Sequence, residues 1–132
     1  MALGEIKADT LTHSTAGSLA TNYVVKGSAK AWVRVDSYND SPAAIESSFI
    51  TSSITDNGTG DVTVTFSTSF SNSLYAYAGM DSNSCMVGTG ENRLQSPTAG
   101  VTATTFELMT RSDGGTAVDS SKTSAVFHGD LA

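Results

Sequence analysis

The chain of 132 residues is expected to be all-β: a β-sandwich or jelly-roll-like domain of about eight short antiparallel strands, preceded by an extended N-terminal arm. Three observations predict this class. Apolar and polar residues alternate with a period of two in short runs, as in Ala31, Val33, Val35 and again in Val62, Val64, Phe66. Turn clusters such as Asp36–Pro42 and Asp113-Gly114-Gly115 punctuate these runs at intervals of about 8–12 residues. And 20 serines and 18 threonines stand where charged residues usually do, the charged share being 15% against about 25% in an average domain. Threonine suits a half-exposed strand, because its branched carbon packs while its hydroxyl stays wet. No stretch shows the apolar stripe of an amphipathic helix.

A domain of this length buries roughly two-thirds of its unfolded surface, enough for one self-standing core. The boundaries expected are an arm over residues 1–22 and a sandwich over 23–132. In the arm, Leu3, Ile6, Leu11 and Leu19 are spaced irregularly among polar residues and build no core. Leu3, Ile6 and Leu11 are therefore the candidates for holding the arm to a neighbouring subunit or to a larger particle, with Ile6–Leu11 as a short extended strand. Tyr23-Val24-Val25 reads as a strand turned by Lys26-Gly27-Ser28. Lys30–Val35 follows as the clearest strand, with Ala31, Val33 and Val35 on one face and Trp32 and Arg34 on the other. The only tryptophan thus sits opposite the aliphatic face, where it serves as packing at a sheet edge or subunit contact, or as a stacking platform. Ala43–Thr55 reads as one strand. Leu74–Met80 places Tyr75 and Tyr77 on one face and Leu74, Ala76, Ala78 and Met80 on the other, and the small alanines permit close approach by a facing sheet or subunit. Cys85-Met86-Val87 is a brief strand, Gly88–Gly100 the longest loop, Val101–Thr110 a long strand and Ser124–His128 the last.

The centre of the chain is Ser52–Phe66, SSITDNGTGDVTVTF. Period-two alternation on both sides of a Gly/Asn/Asp cluster spells a β-hairpin, with Asp56, Asn57, Gly58 and Gly60 as its turn residues. Asn and Gly accept the positive φ that a tight reversal needs, and Gly60 is placed to form a bulge. The same cluster has the oxygen donors of a calcium loop but lacks the downstream bidentate Glu, so turn chemistry accounts for it without a metal.

This stretch, with Lys30-Ala31-Trp32-Val33 upstream, resembles a family of small β-rich virion proteins of tailed bacteriophages, frequent in phages of marine bacteria and described as tail-fibre or appendage proteins. In that family a KAWV segment is followed by an apolar strand and then SSITDNGTGDYTV. The corresponding pieces here are Lys30–Val33, Phe49 and Ser52–Phe66, with Val62 where the aromatic often sits. Ala125–Asp130 resembles the family's VAVFGD ending, with His128 inserted. The resemblance spans roughly Val24 to Ala132, and its central motif is the specific part. It implies a non-enzymatic structural protein of the virion, assembled in the host cytoplasm as a closed homotrimer in contact with other virion proteins and exposed for host attachment. Two alternatives stay open: a head decoration protein clamping capsid subunits, and a carbohydrate-binding module.

Composition excludes other classes. A net charge of −6 and a pI near 4.5, with seven scattered Lys and Arg, leave no basic groove for nucleic acid. Cys85 is the only cysteine, so no intrachain disulfide is expected. Met1–Thr12 lacks a signal peptide's apolar core, and no apolar run reaches the ~20 residues of a membrane span, so no membrane insertion is expected. His13 and His128 lie near opposite ends of the chain, no nucleophile elbow or phosphate loop appears, and no cofactor is implied. For host contact, including a cell-surface glycan, the candidates are Trp32, Tyr38, Asn39, Asp81 and Asn83, which offer aromatic faces and amide forks in loops on a stiff frame. The same residues are ordinary turn chemistry.

Overall fold

The computed structural model describes residues 9–13, 17–40, 42–81, 86–89, 100–112 and 114–132. The N-terminal part is a small hairpin, β1 (Thr10–His13) paired with β2 (Gly17–Ala20), running directly into a helix, α1 (Thr21–Gly27). Eight strands follow: β3 (Ala31–Asp36), β4 (Ala44–Phe49), β5 (Thr51–Gly58), β6 (Asp61–Phe66), β7 (Ala76–Asp81), β8 (Met86–Thr89), β9 (Thr105–Arg111) and β10 (Thr123–His128). They form two antiparallel four-stranded sheets, in the orders β4-β3-β10-β7 and β5-β6-β9-β8. The domain is a β-sandwich.

Alternation sets the two faces. On β3, Ala31, Val33 and Val35 are buried while Trp32 and Arg34 face outward. On β6, Val62, Val64 and Phe66 point inward and Thr63 and Thr65 outward. The inner faces share one core, with an aromatic cluster at its centre. Phe127 is wholly buried there, with its ring 5.0 Å from Phe66 and 4.9 Å from Phe106 in edge-to-face geometry. Phe70 and Tyr75 stack at 4.3 Å, and the Tyr75 hydroxyl donates to the carbonyls of Thr102 (3.0 Å) and Thr105 (3.2 Å). Burial pushes that phenol well above its ordinary pKa.

The strand expected at Tyr23–Val25 is instead helix α1. Two adjacent valines set no period, and attachment at the two ends decides the conformation. Thr21 N–H donates to the Asp9 carbonyl (2.9 Å), Ser28 N–H to the Val24 carbonyl (3.1 Å), and the Lys30 ammonium reaches the Val25 carbonyl. The boundary expected between residues 22 and 23 therefore falls inside this helix. The single strand expected over 43–55 is two, β4 and β5, in different sheets. Between them Ile50 takes φ 55°, a value a β-branched residue rarely adopts, and there the chain turns from one sheet into the other. The expected long strand from Val101 starts only at Thr105. Ahead of it the Thr102 hydroxyl accepts the N–H groups of Thr104 (3.1 Å) and Thr105 (2.9 Å), a local turn that competes with the ladder. Tyr75 likewise precedes β7 rather than belonging to it. Cys85 and most of the long loop lie outside the described residues, while Gly88 and Thr89 belong to β8.

Candidate functional site: an outer apolar row and a sheet edge

The register of the first sheet brings side chains together that are far apart in the chain. Trp32 lies opposite Phe49 on β4 and Val126 on β10, and Val126 lies opposite Ala78 on β7. Phe49, Trp32, Val126 and Ala78 therefore form one outward row across four strands, with Phe49 52% exposed. The adjoining row is Ser47, Arg34, Ser124 and Met80, and Met80 is 78% exposed. Above it, at a bulge in β4, Glu46 pairs with Lys122 at 3.1 Å and with Arg34 at 2.5 Å. Its carboxyl is held below the ordinary range, first by the Lys122 hydrogen bond, which outweighs the opposing effect of desolvation, and then by the Arg34 hydrogen bond.

The outer face of the second sheet is built differently. Two of its rows are Ser53, Thr65, Thr105 and Thr55, Thr63, Glu107, all polar, and in the next row Asp61 and Met109 are buried. Among these rows, the exposed apolar one lies on the first sheet.

The apolar row runs to the edge strand β7. Among the described residues, no strand pairs with the outer edge of β7. Its residues 76–80 are all exposed, and Leu74 just before it is 88% exposed. Two hollows flank Leu74. One, of about 390 Å³, is lined by Lys26, Ala76, His128, Gly129 and Asp130; the other, of about 380 Å³, by Ser73, Tyr75, Tyr77 and Val101.

The residues singled out from the sequence divide among these features. Trp32 is in the middle of the apolar row. Tyr38 is in the β3–β4 loop, 69% exposed, beyond the end of the strand that carries Trp32. Asn39 is committed to its own turn: its amide donates to the Asp36 carboxylate (2.7 Å), which also accepts the N–H groups of Tyr38 and Asn39. Those bonds, the Asn39 side chain's first, hold the Asp36 carboxyl low. Asp81 accepts the Thr123 hydroxyl at 2.9 Å. Asn83 lies outside the described residues, as do Leu3 and Ile6; Leu11 is on β1, exposed. The structure therefore does not gather the four described contact candidates, Trp32, Tyr38, Asn39 and Asp81, into one site. What the sequence left out is the rest of the row, Phe49, Val126 and Ala78. Each reads as an ordinary strand residue until register aligns it with Trp32.

Of the four expected turn residues, Asp56, Asn57 and Gly58 instead end β5, with a register shift at Asn57, and the two-residue turn itself is Thr59-Gly60. The Asp56 carboxylate accepts the N–H groups of Ala43 (2.8 Å) and Gly58 (2.9 Å), and these two bonds, in that order, lower its pKa. The Asn57 amide donates to Asp61 (3.1 Å) and to the Thr63 hydroxyl (2.8 Å). Gly60 (φ 66°) donates its N–H to the Asp119 carboxylate (2.7 Å) and accepts from Thr110 N–H (3.0 Å), so the turn is locked onto the β9–β10 connection. Among the described residues no group of three or more His, Cys, Asp or Glu converges on one point, and no helix is long and apolar enough to cross a membrane.

No protein-family model, curated protein or solved structure matches the chain.

Proposed function

We infer that the protein is a non-enzymatic structural component of a tailed-bacteriophage virion, a tail-fibre or appendage protein assembled in the host cytoplasm and exposed on the particle for host contact. The observation that carries this reading is the outer row Phe49, Trp32, Val126, Ala78: an apolar surface for another protein on a rigid sandwich. Three of its members, Trp32, Phe49 and Val126, lie in the segments that resemble the phage family. The Ser52–Phe66 motif supports the same reading, since its residues build the frame itself. Val62, Val64 and Phe66 fill the core, and Gly60 docks the turn. Its partners are further copies of the chain and neighbouring virion proteins.

A head decoration role is the second reading. The breadth of the row favours it, because an apolar row across four strands suits contact with a protein surface. A carbohydrate-binding role loses support, because the side chains of Asn39 and Asp81 are engaged within the fold.

Gold-labelled antibody against the chain, applied to particles of a phage that encodes it and viewed by electron microscopy, tests this. Label on the tail or its fibres is expected. Label over the head replaces the appendage by the decoration role, and particles free of label overturn the virion reading.

A further inference from the structure

We propose that β7 is the edge through which two copies of this chain join, antiparallel about a two-fold axis at Ala78, fusing their first sheets into one of eight strands. The inference stands on the sheet edge alone and holds whatever the biological setting of the molecule.

Sheet edges attract other strands, and proteins blunt them with bulges, charges or short strands. The described edges differ in this respect. β4 is bulged at Glu46 and carries its ion pairs there; β5 shifts register twice, near Ser52 and near Asn57; β8 has only four residues. β7 has six residues, a regular register with β10 over its whole length, no proline, and no charge before Asp81.

The occupant follows from the strand's own sequence. Residues directly opposed in an antiparallel pair lie on the same face of the sheet, so a two-fold axis must pass through a residue and not between two. With the axis at Ala78, Tyr77 of one copy lies across Gly79 of the other on the inner face, and Met80 across Ala76 on the outer face. Each large side chain meets a small one, and an aromatic ring over an edge glycine is a favoured cross-strand pair. An axis at Tyr77 would instead oppose the two tyrosines and leave Met80 without a small partner. The same axis makes the two apolar rows continuous, from Phe49 of one copy to Phe49 of the other. The contact is isologous and closes at two copies. A six-residue edge is at the small end of specific interfaces, so association is concentration-dependent.

The test is light scattering on the full chain over a concentration series. The mass is expected to rise from 13.6 kDa toward twice that value. Ala78→Lys sets like charges against each other on the axis and is expected to weaken association about a hundredfold, with an unchanged circular dichroism spectrum. Thr55→Lys, on the polar outer face of the second sheet, is expected to leave the dimer intact. In a Cys85→Ser background, mild oxidation of Ala78→Cys is expected to give a covalent dimer, because the two positions face each other within disulfide range; Ser124→Cys, one strand inward, is expected to give none. A chain that stays monomeric throughout, a trimer, or a dimer indifferent to Ala78→Lys overturns the two-fold edge contact.

Discussion

The two long flanks of the sandwich manage their strand edges in opposite ways. On one flank, where β4 turns into β5 through Ile50, bulges and the Glu46 ion pairs interrupt the outer backbone. On the other flank β7 is regular, uncharged up to Asp81 and exposed. Both flanks come from the same alternating Ser/Thr-rich pattern. The difference teaches that alternation assigns faces, while the fate of an edge depends on a few interruptions: one positive φ, one extra residue, one cluster of charges.

The largest expected effect on the closed flank is at Gly60. A Cβ there would stand 2.5 Å from the Thr110 carbonyl and 2.8 Å from Val118 backbone atoms, at φ 66°. Overpacking against backbone and the left-handed conformation add, so Gly60→Ala is expected to cost about 3 kcal/mol in urea unfolding. Gly58, at φ 121°, has open space around it, so Gly58→Val carries the conformational cost alone, about 1–2 kcal/mol. Equal losses at the two positions would mean that the docking of the turn on the β9–β10 connection contributes nothing.

Ile50 sharpens the comparison at intermediate scale. Glycine there would relieve a strain of about 1–2 kcal/mol and lose half-buried apolar surface of similar worth. Ile50→Gly is therefore expected to change stability by less than about 1 kcal/mol, whereas Ile54→Gly, in regular strand, is expected to be clearly destabilising. Thermal melts of the pair check this, and a large loss at Ile50 would show that packing outweighs strain at the corner.

The smallest effect is in acid. Glu46 and Asp56 on the closed flank, and Asp36 at the end of β3, all have pKa values below their ordinary ones. Groups depressed in the folded state contribute stability that is complete above the ordinary carboxylate range, near pH 4, and is lost as pH falls through the folded-state values. The melting temperature is expected to decline from about pH 4 downward, and Asp56→Asn is expected to flatten that decline. A melting temperature that rises in acid would contradict these assignments.

How much of this was legible beforehand depends on the range of the interaction concerned. The faces of β3 and β6 follow from neighbours two residues apart, and the β5–β6 hairpin follows from the Gly/Asn/Asp cluster between them, although its turn falls at Thr59-Gly60, two residues beyond Asn57-Gly58. The break at Ile50 carries no glycine or proline to announce it. Helix α1 replaces an apparent strand because its ends are tied to Asp9 and Lys30. The apolar row needed the pairing of β10 with both β3 and β7, a contact across most of the chain that no local pattern encodes. Trp32 could be singled out; its companions could not.

The position of β10 has a consequence for synthesis. The last strand of the sandwich is a central one, hydrogen-bonded on one side to β3 and on the other to β7. Until residues 123–128 have left the ribosome β7 has no partner in its sheet, while β3 with β4 and β5 with β6, each a pair of neighbouring strands, can already close. β7 thus stays an unpaired edge from its own synthesis until β10 emerges, and a cell making many copies at once is most exposed to mispairing in that interval.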